Sequence, residues 1–223
     1  PRMPTIVGLR RRGYSAAALR LFCERTGVSK NNARIDYSLL DQAQREVQDP
    51  IAPRSVAILA PLKLVITNFP ADKVEPCQAP RNPHDPSAGM REFPLTRELW
   101  IEQEDFAEVP PKKYFRLFPG NSVRLKYGYV VTCTGFVKDD AGQVIEVHAE
   151  YNPDTKSGTP GSATVKASAA ITWVGVSDGL QAEVRLYDRL FADAQPDAGG
   201  KDFLAALNPD SLKVVTAYVE PSL

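Results

Sequence analysis

Apolar residues repeat with one period before Pro50 and with another after it. Up to Pro50 they recur at the spacing of one face of an α-helix, whereas beyond it short segments rich in β-branched residues alternate with turns. A segment patterned for a helix does not settle as a strand, and the reverse also holds. The sequence therefore predicts a helical first part, residues 1–50, followed by a β-rich remainder.

The stretch "SAAALRLFCERTG" predicts a helix with a signal at each end. Ser15 is placed to act as its N-cap, and Gly27 is placed to end it. We expect the apolar stripe of this helix to consist of the residues at helical spacing, Ala18, Leu19, Phe22 and Cys23.

A second helix is predicted over "YSLLDQAQREVQDP". Ser38 would cap it, with Asp41 three residues later, and Pro50 would end it. Its apolar stripe consists of Leu40, Ala43 and Val47. The polar residues 27–34, between the two helices, predict a turn.

Beyond Pro50 the strand-like segments are short, and turn residues such as Pro119-Gly120-Asn121 and Asp139-Asp140-Ala141-Gly142 separate them. The predicted strands lie in "SVAILAPLKLVITNF", "RELWIEQ", "KYFRL", "SVRLKYGYVVTCTGFVK", "VIEVHAEY", "KASAAITWVG", "QAEVRLYD" and "SLKVVTAYVE". The proline-rich residues 70–94 predict a long irregular connection, and residues 201–211 a helical stretch. Short strands separated by turns in this way are typical of small β-barrels rather than of a parallel sheet with crossover helices.

Cysteines and histidines are too few and too scattered for most metal or nucleophilic chemistry. Cys23, Cys77 and Cys133 form no CxxC pair, which favours free thiols in a reducing cytosol over a disulfide framework or a zinc site. His84 and His148 stand 64 positions apart without a catalytic signature around either. We interpret both as surface or loop residues, and we expect no metal ligand and no catalytic residue in this chain.

No run of residues is long and apolar enough to span a membrane. A span needs roughly 18 apolar residues, and the best candidate, "SVAILAPLKLVI", is interrupted by Pro61 and Lys63. The first residues contain arginines with no apolar block behind them, so they do not form a secretory signal. Because the chain opens on Pro1-Arg2 rather than Met, we expect it to be a piece of a longer protein.

The stretch "KKYFRLFPGNSVRLKYGY", residues 112–129, contains five cations and no acid although the chain as a whole has zero net charge. Strand alternation would place Val123, Leu125, Tyr127 and Tyr129 on one face and Arg124, Lys126 and Gly128 on the other. A partner strand would carry Tyr114, Arg116 and Phe118 on a shared face. Cations beside aromatic rings suit an unpaired nucleic acid, but a solvated barrel face explains the same pattern.

The first 30 residues contain seven cations against the single acid Glu24. Their arginines and Lys30 could follow a phosphate backbone with a helical surface. The alternative is that these arginines form salt bridges with another part of the longer protein.

Several strings resemble bacterial glutaminyl-tRNA synthetase in order and spacing, and the likeness runs through all 223 residues. They are "PRMPTIVGLRRRGY", "APRSVAIL", "KLVITNF", "SVRLKYGY", "VRLYDRLF" and "VEPSL". The resemblance implies a class I aminoacyl-tRNA synthetase, which activates glutamine with ATP and Mg²⁺ and transfers it to tRNA-Gln. The chain contains no HIGH-like or KMSKS-like string, so the resemblance implies that it carries no aminoacylation chemistry by itself.

The resemblance also implies an α+β fold made of a short helical subdomain and two small antiparallel β-barrels. Residues 1–51 would be the helical subdomain, at the inner corner of the tRNA. An outer barrel, residues 68–175, would be inserted into an inner barrel built from residues 52–67 and 176–223. The last strands of the inner barrel would lie beyond Leu223.

By position, the resemblance assigns contacts to eight residues. Arg54 matches the reader of the central anticodon base, Arg116 that of the third base, and Arg124 and Lys126 an arginine pair at the first base. Lys126 departs from arginine and so lacks its planar fork, and Lys113 stands where the family often has glutamine. The resemblance assigns contacts with the tRNA backbone to Ser29, Lys30 and Asn31. Asn31 stands where the family has a glutamine.

The expected partner is tRNA-Gln, with no DNA and no membrane, and the parent enzyme is expected to be monomeric and cytoplasmic. Two alternatives stay open at this point. Glutamyl-tRNA synthetases of the archaeal and eukaryotic type share the architecture. A stand-alone RNA-binding module is also sensible, because the outer barrel resembles a ribosomal protein family that binds 5S rRNA.

Overall fold

The computed structural model describes residues 2–31, 33 and 35–223, and these are mostly β structure with few helices. The α-helices among them are α1 (Ile6–Arg11), α2 (Ala16–Thr26) and α3 (Tyr37–Gln48). None of the helices in this part of the chain has the length and apolar character that a membrane span requires.

Helix α2 begins and ends where the sequence predicts. The Ser15 hydroxyl accepts a hydrogen bond from the Ala18 N–H at 3.1 Å, and Gly27 ends the helix with a φ of +69°. Ala18 is fully buried, as expected for the stripe. Cys23 is exposed, so its assignment to the stripe was wrong, because it lies toward the solvent side of the last turn.

Helix α3 is present, but Asp36 rather than Ser38 is its N-cap. The Asp36 carboxylate accepts from the Ser38 N–H at 2.8 Å, which leaves Ser38 inside the first turn. Leu40 and Ala43 of the predicted stripe are buried. Of the predicted turn at residues 27–34, Asn32 and Arg34 lie outside the described residues.

The strands of the structure largely coincide with the predicted segments. They are β1 (Ala57–Ile58), β2 (Pro61–Ile66), β3 (Glu75–Pro80), β4 (Met90–Leu95), β5 (Glu98–Glu102), β6 (Ser122–Leu125), β7 (Val130–Lys138), β8 (Val144–Tyr151), β9 (Ala170–Ile171), β10 (Val174–Gly175), β11 (Leu180–Tyr187) and β12 (Leu212–Val219).

The largest sheet has seven strands in the order β10-β5-β2-β8-β7-β6-β9. Its pairings β2–β8 and β6–β9 are parallel, so the sheet is mixed, whereas purely antiparallel barrels were expected. The two edge strands, β9 and β10, are joined by Thr172 and Trp173 alone. A connection of two residues brings the edges near each other, so the sheet curls into a half-barrel around its buried face.

The proline-rich residues 70–94, predicted to be irregular, contain the strand pair β3–β4. Its register pairs Cys77 with Phe93 and Gln78 with Glu92. Proline is tolerated at strand edges, where its missing N–H is not needed. A two-stranded sheet offers such edges on both sides, which accommodates Pro76 and Pro94.

The segment "KYFRL" is not a strand, so the predicted partner face of Tyr114, Arg116 and Phe118 does not form. A single bridge pairs Leu117 with Phe106, and β6 pairs instead with β7 and β9.

The long segment "SVRLKYGYVVTCTGFVK" is a hairpin rather than one strand. The Leu125 N–H donates to the Tyr129 carbonyl at 2.8 Å, which closes a tight turn between β6 and β7. The helical stretch predicted near residues 201–211 is reduced to a short 3-10 turn, Phe203–Ala206.

The chain divides into two compact units. One consists of Pro1–Pro53, Asn82–Ser87 and Arg185–Val214, and within it α2 packs against α3. The other consists of Arg54–Arg81, Ala88–Val184 and Val215–Leu223. It contains the seven-stranded sheet, the β3–β4 pair and a hydrophobic core built from residues of both.

Candidate nucleic-acid interface

The segment that carries Lys113 and Arg116 is irregular but tied down by side chains. The Asn121 amide donates to the Arg116 carbonyl at 2.7 Å, and the Ser168 hydroxyl donates to the Phe115 carbonyl at 2.7 Å. Lys113 is exposed and has a left-handed φ of +66°. The segment therefore presents a lysine to solvent from a backbone that is held in place.

Arg116 lies against two carboxylates. Its Nη1 donates to the Asp105 carboxylate and lies 3.4 Å from Glu104 Oε1. Burial raises the pKa of Asp105, and the bond from Arg116 opposes that rise. The Arg116 side chain is 45% exposed and both contacts use one nitrogen. A guanidinium has five N–H donors, so contact with a base is compatible with this ion pair.

Arg124 donates into the backbone of a neighbouring loop. Its Nη1 donates to the Thr155 carbonyl at 2.8 Å, and its Nη2 donates to the Ser162 carbonyl. The same Nη1 lies 3.4 Å from the Gly128 carbonyl. The side chain therefore joins the loop at residues 155–162 to the β6–β7 turn.

Lys126 is exposed in that turn, with its Nζ 5.6 Å from the centroid of the Tyr127 ring. Beside it is a small cavity of about 20 Å³, lined by Val56, Arg91, Phe93, Lys126, Tyr127, Thr172, Trp173 and Glu220. The Trp173 indole N–H donates to the Lys126 carbonyl at 3.0 Å. The position of the lysine is thus set by the core beneath it.

Arg54 is half-buried and precedes Val56, which lines the same small cavity as Lys126. Its N–H donates to the Arg81 carbonyl at 2.6 Å. The structure therefore brings the backbone that carries Arg54 near Lys126. Arg116 lies against Asp105 and Glu104 instead.

Ser29, Lys30 and Asn31 follow the end of α2 and are all exposed. The Asn31 N–H donates to the Ser29 hydroxyl at 3.1 Å. This bond orders the turn locally and leaves the ammonium of Lys30 on the surface, where a phosphate could reach it.

Sequence reasoning missed a groove of about 530 Å³ beside the predicted base readers. Its lining is Pro76, Cys77, Gln78, Met90, Glu92, Tyr127, Lys156, Ser157 and Gly158. Nothing in the sequence directly indicates this groove, because in the dipeptide Tyr127-Gly128 the glycine is the residue expected to have a positive φ. Here the tyrosine has the positive φ, of +65°.

The histidines of the chain each lie beside one carboxylate. Within the described residues, no group of three or more His, Cys, Asp and Glu side chains is placed to hold a metal ion. His84 Nε2 lies 3.1 Å from Asp49 Oδ2, and His148 Nε2 lies 2.7 Å from Glu146 Oε1. The first pair is exposed, whereas His148 is half-buried on strand β8, so its interpretation as a surface or loop residue was wrong.

Two family models match the chain, both described as anticodon-binding domains of the class I tRNA synthetases for E and Q. One matches residues 52–152 and the other residues 170–223. Among curated proteins, a glutamine–tRNA ligase of Bordetella pertussis is 68% identical over 100% of this chain. A glutamine–tRNA ligase of Ralstonia nicotianae is 62% identical, also over 100% of it. The chain spans 38% of the length of each of these relatives.

Proposed function

The chain belongs to the family of anticodon-binding domains of the class I tRNA synthetases for glutamate and glutamine, and on that premise we propose that it binds tRNA and reads its anticodon. One observation carries the proposal. The family match at residues 52–152 contains all five residues predicted to contact anticodon bases, Arg54, Lys113, Arg116, Arg124 and Lys126.

The chemistry of these residues suits an anticodon loop. Its unpaired bases can be splayed and recognised at their edges by arginine donors and aromatic rings. Each good base-edge contact is worth about 1–3 kcal/mol, by analogy with bidentate recognition of bases in duplexes. Lys126 offers a point charge rather than a fork, so its part is attraction to phosphate more than geometric selection of a base.

The parent protein is proposed to be a glutamine–tRNA ligase that attaches glutamine to tRNA-Gln with ATP and Mg²⁺. The names of the relatives support glutamine over glutamate. ATP would activate the glutamine carboxylate elsewhere in the parent. We assign no residue of this chain to ATP or magnesium, and we expect the isolated chain to be inactive in aminoacylation.

The three-part division also stays a proposal, with the helical subdomain at residues 1–51, the inner barrel at 52–67 and 176–223, and the outer barrel at 68–175. The curled seven-stranded sheet supports a barrel-like outer part, but it also contains β2, residues 61–66, which the proposal assigns to the inner barrel. A monomeric, cytoplasmic parent is part of the same proposal.

The proposal is tested by titrating the 223-residue chain against tRNA-Gln and an anticodon-substituted variant at two salt concentrations. We expect tighter binding of the cognate tRNA, with a difference that persists at the higher salt because base contacts are less salt-sensitive than phosphate contacts. Equal affinity for the two RNAs would rule out anticodon reading by this chain.

Lys30→Ala serves as the probe for backbone contact. It should weaken binding to both RNAs alike and reduce the slope of log affinity against log salt by roughly 0.7 for a lost phosphate contact. Asn31→Ala, in the same turn but without a charge, is the control and should leave the slope unchanged. An unaltered slope for Lys30→Ala would show that Lys30 contacts no phosphate.

A further inference from the structure

The backbone of Tyr127 has a conformation that a bulky aromatic residue adopts at a cost. Its φ of +65° lies in the left-handed region, which is strained for a non-glycine residue. Gly128 is the next residue, but a Cβ there would lie 3.0 Å from Leu95 Cδ1. A Cβ at position 128 would therefore crowd the core, and it is the tyrosine of this turn that has the left-handed conformation.

The ring of Tyr127 forms part of the wall of two cavities. On one side is the small cavity that Lys126 lines, and on the other is the groove of about 530 Å³. The ring meets Phe93 nearly edge-on, with centroids 6.4 Å apart. Tyr127 is half-buried, so packing orients the ring while part of it remains accessible.

The β3–β4 pair contributes Cys77, Gln78, Met90 and Glu92 to the lining of the groove. Gln78 and Glu92 lie directly opposite each other in the register of the two strands. Both are exposed, and the Gln78 amide donates to Glu92 Oε1 at 2.6 Å. That bond uses one of two amide hydrogens and one of two carboxylate oxygens, so the pair can both donate to and accept from a ligand.

The far wall is the loop that Arg124 secures. The Ser157 hydroxyl and the Ser157 N–H each lie 2.9 Å from the Gly128 carbonyl, which joins this wall to the turn that bears Tyr127. Lys156 lies in the same wall and pairs with Glu75. Cations therefore stand on both sides of the ring, with Lys156 lining the groove and Lys126 lining the small cavity.

We propose that this groove binds one unpaired base of an RNA, stacked on the ring of Tyr127, while Gln78 and Glu92 contact its hydrogen-bonding edge. The inference rests on the proposed function, since it names a base subsite within that RNA surface. An aromatic ring with a donor–acceptor pair in the same groove is the arrangement by which proteins hold unstacked bases. Lys126 and Lys156 meet the flanking phosphates.

The carboxylate makes the subsite selective. Glu92 accepts hydrogen bonds only, so it favours a base with an exocyclic amino group, such as cytosine or adenine, over uracil. Glu92→Gln replaces one carboxylate oxygen with a donor and should remove that preference. Because Glu92 is exposed, this variant should fold normally.

The test uses the full 223-residue chain and an anticodon stem-loop RNA with 2-aminopurine at successive loop positions. We expect Tyr127→Leu to bind roughly 5- to 150-fold more weakly, the range expected for a lost stacked base, and to lose the fluorescence change at one position. Tyr127→Phe keeps the ring and should bind within about 3-fold of the original, a limit far below that of a lost stack. Leucine preserves an apolar contact with Phe93, and melting curves of both variants check the fold.

The outcomes separate the inference from the proposed function. If the unaltered chain binds the RNA and Tyr127→Leu binds it equally well, the stacking subsite is overturned and anticodon binding stands. If the unaltered chain does not bind the RNA, both are overturned. Should Tyr127→Leu fail to fold, Glu92→Gln decides, because an unchanged preference between cytosine and uracil loops would overturn the subsite.

Discussion

At the scale of single residues, Arg124 shows how a cation can build a surface as well as contact a ligand. Its guanidinium donates to carbonyls at Thr155 and Ser162, which are remote in sequence. Hydrogen bonds from a charged donor are worth more than neutral ones. The same arginine is predicted to read the first anticodon base, so its two roles need separate measurements.

Arg124→Ala should lower the free energy of unfolding by about 2 kcal/mol, since carbonyls of a half-buried loop lose a charged donor. Lys126→Ala, which removes an exposed cation two positions away, should change it by less than about 0.5 kcal/mol. Urea unfolding of both variants measures the difference.

RNA affinity then separates the two roles. Base reading predicts that Arg124→Ala weakens binding most for the tRNA with the cognate first anticodon base. An equal loss for cognate and substituted tRNAs would mean that Arg124 acts only by holding the loop.

Arg116 and Asp105 form an ion pair whose contribution to stability depends on pH. Burial raises the pKa of Asp105 above its unfolded value, and Arg116 limits the rise. An acid with a raised folded-state pKa stabilises the fold below its unfolded pKa, near 3.9, and this contribution is lost as the pH rises through the folded pKa. Removing Arg116 should raise the pKa further and enlarge the loss.

Arg116→Gln should therefore destabilise the protein more at about pH 7 than at about pH 4. Urea unfolding at both pH values tests this. Glu104→Gln, at the exposed acid beside the same guanidinium, is the control and should have little effect at either pH. An equal loss for Arg116→Gln at the two pH values would contradict the pairing with a buried carboxylate.

At the scale of elements, α3 shows that two residues with capping chemistry can compete for one helix end. Asp36 and Ser38 both have side chains that accept hydrogen bonds from backbone N–H groups. The structure gives the cap to Asp36, because its carboxylate lies 2.8 Å from the Ser38 N–H.

Asp36→Ala should cost about 1 kcal/mol of stability, the usual effect of removing an N-cap. Ser38→Ala should cost less, because it removes an exposed hydroxyl beside Asp36 but keeps the backbone N–H that the cap uses. The comparison is read from the thermal midpoints of both variants. A larger loss of stability for Ser38→Ala than for Asp36→Ala would show that Ser38 is the N-cap, as the sequence predicts.

At the scale of the whole molecule, one buried ion pair joins parts of the chain that lie far apart in sequence. Arg91 Nη1 donates to Glu220 Oε2, and the two side chains are only 7% and 3% exposed. The Glu220 N–H also donates to the Val56 carbonyl at 2.9 Å. The end of β12 is thereby anchored to β4 and to the segment before β1.

Glu220→Ala should destabilise the protein by about 3–5 kcal/mol, because it leaves the Arg91 charge buried without its partner. The double variant Arg91→Met and Glu220→Leu removes both charges, keeps apolar volume, and should recover much of that loss. Urea unfolding compares the variants. If Glu220→Ala costs less than about 1 kcal/mol, the pair does not anchor the strand.

Much of the secondary structure was predictable where its signals are local. Ser15 and Gly27 mark both ends of α2 within the sequence itself, and residues 98–102 and 144–151 alternate as strands do. The β3–β4 pair could not be predicted from its composition, because prolines ordinarily disfavour strands, whereas the edges of a two-stranded sheet tolerate them. "KYFRL" was mistaken for a strand because its composition is right but only Leu117 finds a bridge partner.

Periods, caps and family strings are properties of neighbouring residues, so the helices before Pro50, the β-rich remainder and the kinship with anticodon-binding domains could all be predicted from the sequence. The tertiary structure alone decided what each cation touches. Arg124 meets acceptors 31 and 38 residues away, and Arg91 meets one 129 residues away. A contact at such separation depends on how the sheet curls and where loops cross it, which no local pattern of residue types encodes.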